Sequence, residues 1–309
     1  MIVVIGEALV DLVIAPDGAV EAVLGGAPYN TARATARLGA DVEFVGGLSD
    51  DRFGRLLLQQ LSDDGVRTPF GAVTSEPTTL AAAEIDDDGT AAYRFYFHRT
   101  AAPLVGPELV GLAVGRIGAH DILFTGGLGL VLQPMADSIV GGLATLPEHA
   151  LLVVDVNCRE AVIPDRPAYV ERVGVVAARA DVVKVSDEDL HYLTPALDTT
   201  DAATTLLDQG PQAVIVTAGA SHTTIVTRNG HTVVDVPPAA GPIVDTIGAG
   251  DTFGAGMLAW IHAAGVTRDG LSMDQLTAAV RVGHAAAGVV VTRRGADPPH
   301  RSDLAVDWP

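Results

Sequence analysis

Between Asp245 and Met257 the chain reads DTIGAGDTFGAGM, which brings a glycine-rich turn and a carboxylate together within a few residues. Gly248, Ala249 and Gly250 carry little or no side chain, so their backbone N–H groups can come close to a ligand. From Asp251 onward the small and apolar run predicts a buried helix, and Val244 with the apolar residues before it predicts a strand end. A helix N-terminus of this kind attracts phosphate, because its first N–H groups lack partners and the helix dipole puts partial positive charge there. Asp251 then has two readings. It is a helix cap, a role Asp favours, or it is a base that orients an attacking hydroxyl and takes its proton in phosphoryl transfer.

Three further groups of residues could do chemistry. GGAPYNTARATARLG, Gly25 to Gly39, is a glycine turn opening a helix of small residues, with Asn30 in its first turns. VDVNCRE sets Asp155, Asn157 and Arg159 at alternating positions where a buried strand ends, so all three are expected on one face at the strand's carboxyl end, where open α/β sheets bind ligands. Arg159 is there to meet an anion such as a phosphate, or to form a structural salt bridge. Lys184 is the only lysine, by chance or by constraint. Val183 precedes it, which excludes a Walker A loop, and the motifs of a protein kinase are absent.

Strand-like and helix-like segments alternate around these residues. Strands are expected at Ile2 to Ile5, Val42 to Val45, Ile122 to Phe124, Leu151 to Val156, Val182 to Val185, Val214 to Thr217 and Thr223 to Val226. Helices are expected at Asn30 to Leu38, Phe53 to Asp64, Met135 to Leu146, Ala168 to Arg179 and Ala202 to Gln209. That order gives βαβ units and an open α/β sandwich with a mostly parallel sheet. Residues 73 to 99 break the rhythm and predict a β-hairpin turning at Asp88-Gly89, with Tyr93, Phe95 and Phe97 on one face and Arg94 and Tyr96 on the other. A second hairpin is expected near Asp11 to Leu24, turning at Asp17-Gly18, the two together forming a small β lid. No repeat or linker marks a second domain, so 1–309 is expected to be one domain, with a discontinuous lid from about 11–24 and 73–102.

With 309 residues, 48% of them hydrophobic, the chain can bury a substantial core. A net charge of −19 argues against nucleic-acid or anionic-membrane partners, and is read as an acidic surface rather than as adaptation to salt. One cysteine, Cys158, leaves no intrachain disulfide. The opening MIVVIGEALVDLV lacks a basic leader, and no apolar run approaches the ~18 residues of a membrane span, so a cytoplasmic location is expected.

Asp-Thr-x-Gly-Ala-Gly-Asp-Thr-Phe resembles the C-terminal signature of the ribokinase-like, or PfkB, family of sugar and nucleoside kinases. The resemblance runs from Gly6 through Gly295 and implies a ribokinase-like three-layer α/β/α sandwich. It also implies an ATP-dependent sugar kinase with Asp251 as catalytic base and the amides of Gly248, Ala249 and Gly250 as the anion hole. Gly25, Gly26, Asn30 and Asp11 match the family's sugar-binding positions. A buried carboxylate there rejects analogues that lack the matching hydroxyls, whereas the plain alternative for Asp11 is an edge-strand residue facing water. Arg159 falls in the Asp-x-Asn-x-Arg of fructokinase-like members, and Arg94 in the lid is placed with the sugar. In the family's Asn-x-x-Glu region this chain departs twice, with Ser186 and Asp189, so magnesium falls to Asp189 or Glu188 and Lys184 is expected near the phosphates. Thr217 and Gly219 are implied beside ATP, and His284 near its base, with a solvent-facing helix histidine as the alternative. Asp245, with the Ile247 carbonyl, matches the potassium site of some relatives.

The subgroup most resembled is the fructokinases, through PTTLAAAEIDDDGTAAYRFYF and Gly-Gly-Ala-Pro-x-Asn. Phe97 and His98 stand where several fructokinases have an Arg, which keeps 2-keto-3-deoxygluconate, ribose and nucleosides open beside fructose. A homodimer through the lid is a further implication. A nicotinamide dehydrogenase fails, since GAGDTFG matches GxGxxG imperfectly and lies too near the C-terminus. A non-catalytic sugar sensor on the same fold is opposed by the intact Asp251 and glycine cradle.

Overall fold

Four consecutive apolar residues, Ile2–Ile5 (β1), make a strand with both faces apolar, which needs cover on both sides. The computed structural model, which describes residues 1–70, 73–86, 91–239 and 241–309, supplies it. The remaining strands are β2 (Leu9–Ile14), β3 (Val20–Gly25), β4 (Val42–Val45), β5 (Leu48–Ser49), β6 (Val73–Thr74), β7 (Leu80–Ile85) and β8 (Ala91–Tyr96), then β9 (Ile122–Gly126), β10 (Leu151–Asp155), β11 (Val182–Ser186), β12 (Ala213–Ala218), β13 (His222–Thr227) and β14 (Gly230–Asp235). Among the described residues the main sheet has the order β14-β13-β12-β11-β10-β9-β1-β4. It is parallel from β4 to β12 and ends in an antiparallel β12–β13–β14 edge.

Alternation along each strand divides the core in two. Val3 and Ile5, Leu152 and Val154, Val183 and Val185, and Val214 and Val216 join one apolar cluster, packed with Val110, Met135, Tyr169, Leu190 and Leu206 from the helices Pro107–Val114, Met135–Leu143, Arg166–Arg179, Asp187–Leu193 and Thr199–Asp208. Ile2 and Val4, Leu151 and Val153, Val182, and Ala213 and Ile215 face the other way. They meet the helices Ala27–Arg37, Arg52–Asp63, Ala249–Ala263 and Met273–Val290. The mostly parallel α/β architecture is therefore as expected, and the expected strand and helix positions agree to within a few residues. Among the described residues no helix is long and apolar enough to cross a membrane.

The two expected hairpins pair into one small sheet, β3-β2-β7-β8, through a parallel β2–β7 contact. The Asp88-Gly89 turn lies outside the described residues. The aromatic face is less uniform than the alternation predicted. Phe95 and Phe97 pack toward the core, whereas Tyr93 is 54% exposed, its ring stacked on Phe95 at 6.3 Å.

Two local expectations are corrected. Residues 241–247 form no strand before Gly248, and Val244 is exposed. β13 and β14 occupy the sheet edge, and the Val244 amide donates instead to the Val291 carbonyl at 2.8 Å. Nor does β10 stay extended through Arg159: it ends at Asp155, and Asn157 has φ 39, a left-handed conformation that breaks the alternation of Asp155, Asn157 and Arg159.

Candidate active site

The helix Ala249–Ala263 begins on Gly248, whose φ of 75 favours glycine and whose Cβ, if it had one, would lie 2.8 Å from the Ala296 Cβ. The amides of Gly248, Gly250 and Asp251 donate to no acceptor among the described residues, whereas Ala249 N–H donates to the Thr246 carbonyl at 3.2 Å. The expected three-amide hole is thus corrected at its middle residue.

Asp251 does not cap this helix. It lies in the first turn, buried, and its Oδ2 accepts a 2.9 Å hydrogen bond from Asn30 Nδ2. Oδ1 accepts none from the described residues. Burial pushes the carboxyl up to about 6; the Asn30 bond opposes this, the Asp155 charge adds to it, and Lys184 and Arg159 oppose it. Asn30 is itself buried, with its Oδ1 unpaired among the described residues.

Lys184 meets the same helix from β11. Its Nζ donates to Asp155 Oδ2 at 2.8 Å within a buried ion pair, and it lies 3.8 Å from where a Cβ on Gly250 would stand. Asp155 Oδ1 is buried without a partner among the described residues, and burial raises the Asp155 carboxyl above the usual range. Asp11 on β2 is partly buried rather than an edge residue in open water, and burial lifts its carboxyl to about 6. Its Oδ2 lies only 2.5 Å from where a Cβ on Gly25 would stand. Arg159 is exposed, makes no ion pair among the described residues, and donates to the neighbouring Cys158 carbonyl. Its charge still reaches Asp11, Asp155 and Asp251.

Sequence reasoning missed Glu7, just past β1 and 2% exposed. Oε1 accepts the Ala27 amide and Oε2 the Gly129 amide, each at 3.1 Å. Burial lifts its carboxyl to about 8, opposed by its own and the Ala27 amide and reinforced by the charge of Asp251. The available signal was a lone acid between the apolar runs Ile2–Ile5 and Ala8–Val10, which a buried strand end does not admit without donors.

Other expected site residues stand apart from this cluster. Arg94 is exposed and paired with Glu84 across β7 and β8 at 2.9 Å. Asp189 spends both oxygens on backbone, accepting Cys158 N–H at 2.9 Å and Ser186 N–H at 3.2 Å in a capping box with Ser186, while Glu188 is exposed. Asp245 clamps its loop, accepting the amides of Ile247 and Gly295 at 2.9 Å each. Among the described residues no group of three or more His, Cys, Asp or Glu could hold a metal ion. Ser186 and Thr217 are register partners at the ends of β11 and β12, with Gly219 just beyond. His284 is buried rather than solvent-facing, with its ring 5.1 Å from that of Phe253, and burial lowers its imidazole to about 4. It lines a cavity of about 420 Å³ with Thr232, Val234, Asp235, Thr277 and Arg281.

Comparison with known proteins bears on this arrangement. The chain is 32% identical over 307 residues to a fructokinase of Rhizobium leguminosarum bv. trifolii, covering 98% of this chain and 88% of that one. It resembles the crystal structure of fructokinase with bound ATP from Xylella fastidiosa, with TM-score 0.84, 28% identity and coverage of 99% and 95% of the two chains. A similar likeness, TM-score 0.82 at 27% identity over 96% and 94%, joins it to aminoimidazole riboside kinase from Salmonella enterica complexed with aminoimidazole riboside and an ATP analog. The model of the pfkB family carbohydrate kinases matches residues 1–303, and the chain belongs to that family.

Proposed function

We propose that the chain transfers the γ-phosphoryl group of ATP to a primary hydroxyl of a small neutral sugar, D-fructose first among them. The observation that carries this reading is Asp251, a buried carboxylate with one oxygen held by Asn30 and the other without a hydrogen bond among the described residues, beside helix N-terminal amides likewise unpaired among them. The sugar oxygen attacks the γ-phosphorus as the bond to the β–γ bridging oxygen breaks and ADP leaves, and the hydroxyl proton passes to Asp251 Oδ1. The amides of Gly248, Gly250 and Asp251 stabilise charge on the moving group. Asn30 Oδ1, Asp11 and Arg159 are the groups available to sugar hydroxyls. Lys184 stands where it can neutralise phosphate, and the ends of β11 and β12 with Thr217, Gly219 and the His284 cavity offer room for the nucleotide.

A magnesium ion carried on nucleotide phosphates needs only one or two protein carboxylates and keeps several waters. Asp155, with a buried unpaired oxygen, fits that task better than Asp189, whose oxygens both serve backbone amides. The ion would supply charge neutralisation on the phosphates. For potassium, Asp245 offers a carboxylate already engaged by two amides and fits less well.

A riboside acceptor is the second reading, favoured by the likeness to the aminoimidazole riboside kinase. ADP release with ATP and magnesium, screened over fructose, ribose, 2-keto-3-deoxygluconate, aminoimidazole riboside and common nucleosides, tests both. Fructose should give the highest kcat/KM. Release no faster with any acceptor than with ATP alone would leave the sensor reading standing in its place.

A further inference from the structure

Glu7 has no task in phosphoryl transfer as described, yet it is the most buried acid at the site without a salt-bridge partner among the described residues. Its two bonds join separate elements. Ala27 is the first residue of the helix Ala27–Arg37, whose N-cap, Gly26 (φ 111), has no side chain to offer. Gly129 lies in the 3-10 turn Gly127–Leu130 that follows β9. Two N–H donors from two elements converge on one side chain, and a carboxyl group can accept at both of its oxygens, protonated or not. Gln would turn an NH₂ toward one of them. Asn30 lies one helical turn beyond Ala27, and it is the residue that grips Asp251.

We propose that Glu7 is a positioning residue for the general base: it fastens the first turn of the Ala27–Arg37 helix to the Gly127–Leu130 turn and thereby fixes Asn30 where it selects the Asp251 rotamer. This rests on the reading of Asp251 as the base. The device is mechanical and acts through Asn30. A carboxylate free to rotate would present either oxygen, or neither, to the acceptor hydroxyl, and misplacement of about 1 Å at a reacting centre costs up to ~10²-fold.

The test is a double-mutant cycle in kcat and in KM for sugar and for ATP, with Glu7→Gln, Asn30→Ala and the pair, each normalised to folded enzyme by thermal melting. Glu7→Gln should lower kcat about ten- to a hundred-fold with ATP KM changed less than about twofold. In the Asn30→Ala background the same change should cost less than about threefold, since the element it acts through is gone. Ala27→Pro removes the amide bound by Oε1 at a helix position that accepts proline, and it should reproduce the coupling if Glu7→Gln fails to fold. An equal cost in both backgrounds, or a loss confined to the melting temperature, overturns the proposal. Wild-type kcat in Asp251→Asn would overturn the base reading itself and the positioning role with it, whatever Glu7→Gln does.

Discussion

Asn30 Nδ2 donates to Asp251 Oδ2 at 2.9 Å, joining two residues 221 positions apart in the chain. The bond ties the glycine turn at one end of the sequence to the glycine cradle at the other. One oxygen of Asp251 is thereby engaged, and the other accepts no hydrogen bond from the described residues.

Asp251→Asn keeps the size of the side chain but cannot take a proton. Loss of a general base typically costs ~10²- to 10⁴-fold, so kcat should fall by that factor while ATP binding, followed by calorimetry, changes little. A variant that keeps more than about a tenth of wild-type kcat where chemistry limits the rate would refute the assignment.

The acid limb of the rate follows from the same group. Its carboxyl lies at about 6, chiefly through burial, and a base works only when ionised. The log of kcat/KM should therefore fall as pH drops below about 6 and level off above it, with a slope between one and two in wild type because Asp11 also lies at about 6, and a slope of one in Asp11→Asn. A limb near the ordinary carboxylate value would show that Asp251 is not the titrating base.

Lys184 and Asp155 form a buried pair. Removing one partner of such a pair typically costs about 3–5 kcal/mol because it strands the other charge, whereas replacing both often costs little. Lys184→Met should lower the urea midpoint and raise the ATP KM, and adding Asp155→Asn should recover much of the stability. Because Asp155 is itself proposed for magnesium, the nucleotide role is read from Lys184→Met alone, where an unchanged ATP KM would confine Lys184 to a structural role.

Stability should carry the mark of Glu7. Burial lifts its carboxyl from the ordinary 4.5 to about 8 on folding, so between those values the folded state binds more protons than the unfolded one. Stability from this group is thus greatest at low pH and is lost as pH rises through about 8. His284, lowered to about 4, and His262, also lowered by burial, act in the opposite sense, but against an ordinary value near 6.5 they contribute little above about pH 7.5. Between about pH 7.5 and 8 the wild-type urea midpoint should still fall, and Glu7→Gln should remove most of that slope; equal slopes would show that Glu7 does not titrate there.

The sequence made the parallel strands legible because they are continuous apolar runs, and it drew attention to Asp251 and Asn30 because they sit in glycine-rich motifs, and to Asp11 only through the resemblance. What it hid is which of several partners within reach each group takes. Residue type alone does not say that Ala249 N–H is consumed by Thr246, that Asp189 turns back to cap its own helix, or that Arg94 closes on Glu84. Glu7 was hidden in a different way. Its donors, Ala27 and Gly129, are backbone amides, and a backbone amide leaves no trace in residue type.

The small sheet β3-β2-β7-β8 is the remaining element whose motion can be tested. Phe95 and Phe97 pack toward the core, while Tyr93 and Tyr96 are each 54% exposed and Val20 is 59% exposed. A sheet of this size is marginal unless it packs on something. We expect the sheet to close over bound sugar, excluding water from the phosphoryl group and suppressing ATP hydrolysis, and its outer aromatics to meet a second subunit. Hydrogen exchange of residues 80–86 and 91–97 should slow when fructose joins a non-hydrolysable ATP analogue. Unchanged protection would make this a fixed sheet, and a monomer by sedimentation at micromolar concentration would remove the subunit contact.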